Sequence, residues 1–191
     1  MKMSQILLAV SILALLFGTS CKKDNPGPQL PPVTTTGACT FGCRVNGEVW
    51  LPGKKSNGTL DDIEGGIVER YLSDGTIDSG NFDLLLFANQ LNSRVIQLNL
   101  SRVNSTGDFF LSQPQLVFPM CTQCESYGYI SMDGIAYTSL SIMESKVSLL
   151  RYDTLNQIFS GTFSFIGTSQ FGKDSIRVTD GRFDIDMNKI N

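Results

Sequence analysis

Two close pairs of cysteines are the residues of this chain whose spacing is most suited to chemistry. Cys39 and Cys43 lie in CTFGC, and Cys121 and Cys124 lie in CTQC. Thiolates in two such pairs can hold one tetrahedral zinc ion. The same thiols can form two disulfides, whose pairing the sequence does not decide, or they can stay reduced and buried. On one extended strand the Cα atoms of Cys39 and Cys43 would lie about 13 Å apart, too far for a disulfide between them.

The absence of histidine narrows the chemistry further. Without an imidazole there is no Ser-His-Asp or Cys-His nucleophile and no histidine metal site. A pair of carboxylates, as in glycosidases, remains open. Asp184 and Asp186 would share a strand face about 7 Å apart, but we expect Arg177 to pair with Asp184 on a wet surface. We therefore predict no catalytic residues and no cofactor, with a carboxylate-dependent, glycan-active enzyme as the alternative.

Three tyrosines are close together in the stretch YGYISMDGIAY. We predict that Tyr127, Tyr129 and Tyr137 form a binding patch if their rings are exposed. The alternative is that these rings pack in the core or at its rim, because aromatic residues fit well in strands. The net charge of −3 argues against a nucleic-acid partner, since such a partner requires a basic surface.

The N-terminus is typical of an exported lipoprotein. Residues 6–17 form an apolar run behind Lys2, and as a helix this run would be about 18 Å long, too short to span a membrane. Gly18 and Ser20 are small residues of the kind that precede a signal-peptidase cut, and Cys21 is the predicted lipidated first residue of the mature chain. Cleavage by ordinary signal peptidase, which would leave a soluble periplasmic protein, is the alternative. Export makes two disulfides our first expectation for the other four cysteines, ahead of zinc and free thiols.

The stretch after Cys21 predicts a tether. It is rich in proline between Pro26 and Pro32, and proline cannot join a helix or a sheet interior, so the segment should be extended and semi-stiff. We divide the chain into a signal peptide (1–20), a lipidated cysteine with its tether (21–36) and a single domain (37–191). The anchor would hold this domain at the outer membrane, on the cell surface or facing the periplasm.

Alternation of apolar and polar residues predicts an all-β domain. In VIQLNLS the apolar residues Ile96, Leu98 and Leu100 share one face, as in a half-buried strand. We predict an antiparallel β-sandwich, which we prefer, or a meander barrel, with about eight to ten strands. Further strands are predicted at Phe41–Val45, Ile67–Leu72, Phe82–Phe87, Tyr127–Met132, Lys146–Tyr152, Phe163–Phe165 and Ile176–Thr179.

Two dipeptides predict hairpin turns. Asp180-Gly181 in IRVTDGRFDI suits a two-residue type I′ turn, which would set Arg177 opposite Asp184. Asn46-Gly47 in CRVNGEVW predicts a second hairpin, with Cys43 opposite Trp50 and Val45 opposite Glu48.

Two stretches resemble a known family. FGCRVNGEVW near one end of the domain and SGTFSFIG with DSIRVTDGRFDI at the other are similar to secreted Bacteroidetes lipoproteins that carry a β-rich domain of unknown function. Lys22-Lys23-Asp24 resembles the charged tag that such lipoproteins carry after the cysteine. The resemblance implies an all-β fold and a place on the cell surface, and it implies no activity. Cys43 departs from the family, which has a small residue such as alanine there.

Together these features predict a lipid-anchored module that does not catalyse a reaction. Its predicted partners are the membrane, through the anchor, and a glycan or a surface protein.

Overall fold

The computed structural model describes residues 27–54, 62–71, 74–90, 92–113, 125–169 and 172–190. The described residues form eleven strands and one short helix, α1, and this confirms the predicted all-β class. The first six strands are β1 (Thr40–Val45), β2 (Glu48–Trp50), β3 (Ile63–Tyr71), β4 (Ile77–Gln90), β5 (Arg94–Val103) and β6 (Gly107–Phe110). The remaining elements are β7 (Tyr127–Met132), β8 (Ile135–Ser139), β9 (Lys146–Asp153), β10 (Ile158–Ser169), β11 (Ser175–Asp186) and α1 (Met187–Ile190).

All of these strands belong to one antiparallel sheet. Its order is β2-β1-β11-β10-β8-β7-β5-β4-β3, and β9 pairs with β10 and β6 beside this path. The sheet curls into a half-barrel, so it is closer to the predicted barrel than to the preferred sandwich of two facing sheets. It also has slightly more strands than expected.

The inner, concave face of the sheet carries the core. Ile96, Leu98 and Leu100 of β5 are buried there, as their alternation predicts, while Gln97 between them lies on the outer face and is half-buried. Aromatic rings fill the end of the core near β1. The ring of Phe41 lies 5.2 Å from that of Phe163 and meets that of Trp50 edge-on.

The hairpin predicted at Asn46-Gly47 is confirmed. Both turn residues have positive φ, 50° and 88°, as a type I′ turn requires. The register sets Cys43 opposite Trp50 and Val45 opposite Glu48, as predicted.

The hairpin predicted at Asp180-Gly181 is wrong, because β11 runs through this dipeptide without turning. The register of β11 shifts by one residue against both β1 and β10 at this point, so Asp180, with φ of 52°, forms a β-bulge. A left-handed residue serves a bulge as readily as a turn, and the strands on both sides of β11 hold it extended. Gly181 is required, since a Cβ there would lie 2.5 Å from the Phe163 ring.

The segment before β1, here called the N-terminal strap (residues 30–38), lies against the outer face of β11. The strap runs along the outward-facing residues of β11. Arg182 donates a hydrogen bond to the Pro31 carbonyl, and Asp184, two residues further along β11, accepts hydrogen bonds from residues 34–38 of the strap. Most of the strap was predicted to belong to a free tether ending at residue 36. Residues 30–36 of the predicted tether therefore lie packed on the sheet, and among the described residues this packing starts near Leu30, whose side chain lies over Gly42.

The carboxylate of Asp184 fixes the strap to the sheet. Asp184 is only 1% exposed, and its two oxygens accept six hydrogen bonds, five of them from the strap. The donors, with their distances, are Thr34 Oγ1 (2.7 Å), Thr36 N (2.9 Å), Thr36 Oγ1 (3.3 Å), Gly37 N (2.8 Å), Ala38 N (3.2 Å) and, from β10, Ser160 Oγ (2.6 Å). Arg177, expected to pair with Asp184, instead lies 3.7 Å from Glu144, because there is no hairpin to bring it across.

Hydrogen bonding decides the ionisation of Asp184. Burial alone would raise the pKa of this carboxyl, but the hydrogen bonds from Ser160 and the strap outweigh burial and lower its pKa to about 2. The buried charge is therefore stabilised chiefly by N–H and O–H donors.

We expect Asp184→Asn to destabilise the domain by about 3 kcal/mol, because the donors around a buried carboxylate would lose a charged acceptor. Urea unfolding followed by tryptophan fluorescence measures the change. The control is Asp174→Asn in the exposed β10–β11 turn, which should change the free energy of unfolding by less than about 0.5 kcal/mol. Equal effects of the two substitutions would contradict the role of Asp184.

The lowered pKa of Asp184 predicts a dependence of stability on pH. Its folded-state pKa, about 2, lies below its ordinary value of 3.8, so its contribution is complete above about pH 5 and is lost as the pH falls from about 4 to about 2. This contribution is about 2 kcal/mol. Urea unfolding at a series of pH values should show a steeper acid loss in the wild type than in Asp184→Asn. Parallel curves would show that Asp184 titrates normally.

Candidate functional site

The structure places two of the four candidate cysteines. Cys39 and Cys43 are both buried free thiols, and the burial of Cys43, which is 0% exposed, raises the pKa of its thiol. Cys21, Cys121 and Cys124 lie outside the described residues. The predicted disulfides and the predicted lipidation therefore stay predictions.

A zinc site is likewise not placed by the structure. Within the described ranges, no group of three or more cysteine, aspartate or glutamate side chains could hold a metal ion. The alternative that Cys39, Cys43, Cys121 and Cys124 bind zinc depends on the two that lie outside those ranges.

The two carboxylates that the sequence offered as a catalytic pair, Asp184 and Asp186, both make structural contacts. Asp184 is covered by the strap, and Asp186 pairs with Lys189 at 2.9 Å, whose hydrogen bond lowers the pKa of the Asp186 carboxyl. A general acid in a glycosidase needs a raised pKa. Both carboxyls have lowered values, so neither is suited to that role.

The predicted tyrosine patch is divided between the two faces of the sheet. Tyr127 and Tyr129 alternate along β7 and lie on the outer face. Tyr137 of β8 is directly opposite Ile130 and packs against the core, so the prediction that all three share a patch is wrong. The dipeptide Asp133-Gly134 could have indicated this from the sequence, because it suits a two-residue turn between β7 and β8. In the structure its φ values are 52° and 83°, and the turn sets the register of β7 on β8.

The outer-face pair and its neighbours form what we call the tyrosine face (Phe87, Gln97, Asn99, Tyr127 and Tyr129). Across the strands, Gln97 lies opposite both Phe87 and Tyr129, and Asn99 lies opposite Tyr127. The Gln97 side-chain amide donates to the Tyr127 hydroxyl at 3.0 Å. Both tyrosine rings are half-buried, so ring surface and amide groups lie side by side.

Asn99 adds an unusual polar group to this face. It is 8% exposed, and its Oδ1 has no hydrogen-bond partner in the part of the chain that the structure describes. Burying such an oxygen without a partner costs about 1–3 kcal/mol. The hydroxyl of the neighbouring Tyr127 already accepts a hydrogen bond from the Gln97 amide.

Two concave regions were not predicted from the sequence. The first is a groove of about 280 Å³ on the outer face of β9, β10 and β11, lined by Lys146, Ser148, Thr162, Ser164, Asp180 and Arg182. The second, of about 420 Å³, lies on the inner side near β3, where Ile67, Phe82 and Met187 meet Glu69. The groove depends on the bulge at Asp180, which the sequence indicated as a turn.

Comparisons with protein-family models, with curated proteins and with solved structures find no match to this chain. Its function must therefore be inferred from its own residues. Among the described residues, no helix has the length and apolar character needed to cross a membrane.

We expect iodoacetamide to leave Cys43 unmodified in the native protein, because its thiol is buried and its raised pKa suppresses the thiolate. In urea without a reductant, peptide mass spectrometry should show Cys43 alkylated. If alkylation in urea also required a reductant, Cys43 would be in a disulfide, in conflict with the free thiol of the structure.

Proposed function

We propose that this protein is a lipid-anchored β-domain of the outer membrane, of the type found in secreted Bacteroidetes lipoproteins, that binds a glycan without catalysis. The tyrosine face is the proposed binding surface. The domain would face the cell exterior, or the periplasm if the anchor is retained there.

The observation that carries this proposal is the arrangement of Tyr127, Tyr129 and Gln97 on the outer face. Half-buried aromatic rings offer a flat apolar surface to the C–H side of a sugar, and their hydroxyls and the adjacent amide can bond to sugar hydroxyls. Gln97 holds the Tyr127 ring in position through the 3.0 Å hydrogen bond. The positions are on strands of one sheet, so the surface is preorganised.

The state of the carboxylates favours binding over the enzymatic alternative. A carboxylate-dependent glycosidase needs two carboxyls that flank a bound sugar, one of them with a raised pKa. Asp184 is enclosed by the strap, and Asp186 pairs with Lys189. Among the described residues that line the inner cavity near β3, Glu69 is the single carboxylate.

The anchor part of the proposal rests on the signal sequence and Cys21, and the strap adds a geometric consequence. If Cys21 carries the lipid, the chain from Cys21 to the start of the packed strap at Leu30 reaches at most about 30 Å. A domain held on so short a connection would stay close to the membrane, where a surface glycan or a surface protein is within reach.

We expect Tyr129→Ala to weaken glycan binding about tenfold, because a central aromatic contact is lost. Screening the mature protein on a glycan array identifies a ligand, and calorimetry measures the affinities of the variants for it. The control is Tyr137→Phe, which changes a tyrosine on the opposite face and should bind as the wild type does.

Three results would contradict the proposal. Unchanged glycan binding by Tyr129→Ala would show that the tyrosine face is not the binding surface. Capture of a surface protein in place of any glycan would change the partner. Cleavage of the bound glycan would favour the enzyme.

A further inference from the structure

The groove on β9, β10 and β11 contains a row of polar side chains that crosses the sheet. Asp108, Ser148, Thr162 and Arg182 are paired in sequence across β6, β9, β10 and β11. Directly opposed residues on neighbouring strands have Cβ atoms about 5 Å apart. The row therefore places hydroxyls between a carboxylate at one end and a guanidinium at the other.

Among the described charged residues around the groove, one cation has no ion-pair partner. Lys146 pairs with Asp108 at 2.8 Å, and Arg44 pairs with Asp180 at 3.5 Å. Arg182 donates only to backbone carbonyls, those of Asp180 and Pro31 at 3.1 and 3.2 Å, and makes no ion pair within the described residues. The groove thus keeps a net positive charge on a chain whose overall charge is −3.

The strap holds the Arg182 side chain in place. Its Nη1 is fixed by the Pro31 carbonyl, and Pro31 is itself packed over Gly42, where a Cβ would come within 2.9 Å of it. Arg182 is half-buried, so its charge is less screened than that of a free surface arginine. The Nη2 group makes no hydrogen bond within the described residues.

The remaining groups of the groove are hydroxyls with unused bonding capacity. Thr162 makes no side-chain hydrogen bond within the described residues. The hydroxyls of Ser148 and Ser164 donate to Asp108 and to the Glu144 carbonyl, and each oxygen can still accept. Among the described lining residues, the apolar side chain is that of Phe163, which belongs to the core and is only 4% exposed.

We propose that this groove binds an acidic sugar residue, with the sugar carboxylate on Arg182 and its ring hydroxyls on Thr162, Ser148 and Ser164. A planar guanidinium suits a carboxylate, and hydroxyls suit a polyhydroxylated ring. The volume of about 280 Å³ lies at the lower end for small-molecule sites. The site therefore receives one residue of a uronic-acid-containing glycan, while the rest of that glycan stays outside.

This inference takes its ligand class from the proposed function but concerns a different surface. The tyrosine face lies on β4, β5 and β7, whereas the groove lies on β9 to β11. Tyr129→Ala should leave the groove intact, and substitution of Arg182 should leave the tyrosine face intact. Failure of one proposal can therefore be told from failure of the other.

The test is a titration of the ¹⁵N-labelled mature protein with uronic acid oligosaccharides, followed by the backbone amide resonances of Thr162 and Gly181. The acidic oligosaccharide should shift these resonances, and a neutral glucose oligosaccharide of equal length should not. Arg182→Gln should weaken the binding about tenfold or more. The control Lys173→Gln removes one positive charge from the exposed β10–β11 turn and should bind as the wild type does.

Any of three outcomes overturns the proposal. The first is the absence of shifts in the groove with uronic acid oligosaccharides. The second is an equal response to acetate or inorganic phosphate, which would show an ion-binding surface only. The third is unchanged affinity in Arg182→Gln. If Arg182→Gln disturbs the strap and fails to fold, Thr162→Val provides the test, because it replaces only the hydroxyl with a methyl group and should also weaken binding.

Discussion

The buried carboxylate of Asp184 fixes the N-terminal strap to β11. Asp184 brings a negative charge under the strap, where water is excluded, and a charge in that position requires several donors at once. The strap supplies most of them from its backbone amides and threonine hydroxyls, so its path is set by the carboxylate. Because the strap leads directly into β1, the position of β1 beside β11 depends on the same interaction.

The two proposed binding surfaces are both on the outer face of the sheet, although the core lies on the inner face. On the tyrosine face, the alternation of β5 and β7 brings rings and amides outward together. In the groove, the bulge at Asp180 and the strap across Gly42 hold Arg182 over a row of hydroxyls. The first surface follows from a regular strand pattern, and the second follows from a departure from it.

Sequence reasoning succeeded where the deciding interactions are local. The Asn46-Gly47 hairpin and the alternation of β5 depend on residues within a few positions of one another, and both were confirmed. The dipeptide Asp-Gly occurs three times in the described residues, at Asp74, Asp133 and Asp180, and the last two give opposite results. Asp133-Gly134 ends a strand and forms a turn, whereas Asp180-Gly181 lies within a strand paired on both sides and forms a bulge, and the dipeptide itself cannot distinguish these cases.

The strap and the groove could not be predicted, because their partners are remote in sequence. Thr36 and Asp184 are separated by 148 positions, and the run of prolines and threonines has no apolar period that would indicate packing. The shared face of Tyr127 and Tyr129 could be predicted, since the two residues alternate along one strand. Placing Tyr137 required the register across a turn.

The direction of the strap has a mechanical consequence. It follows β11 from Arg182 towards Asp186 before the chain enters β1, so tension applied at the N-terminus loads the Pro31 and Asp184 contacts before any strand hydrogen bond. Under such tension the domain would resist unfolding first through the contacts of the strap with Arg182 and Asp184, and only afterwards through the hydrogen bonds of the sheet.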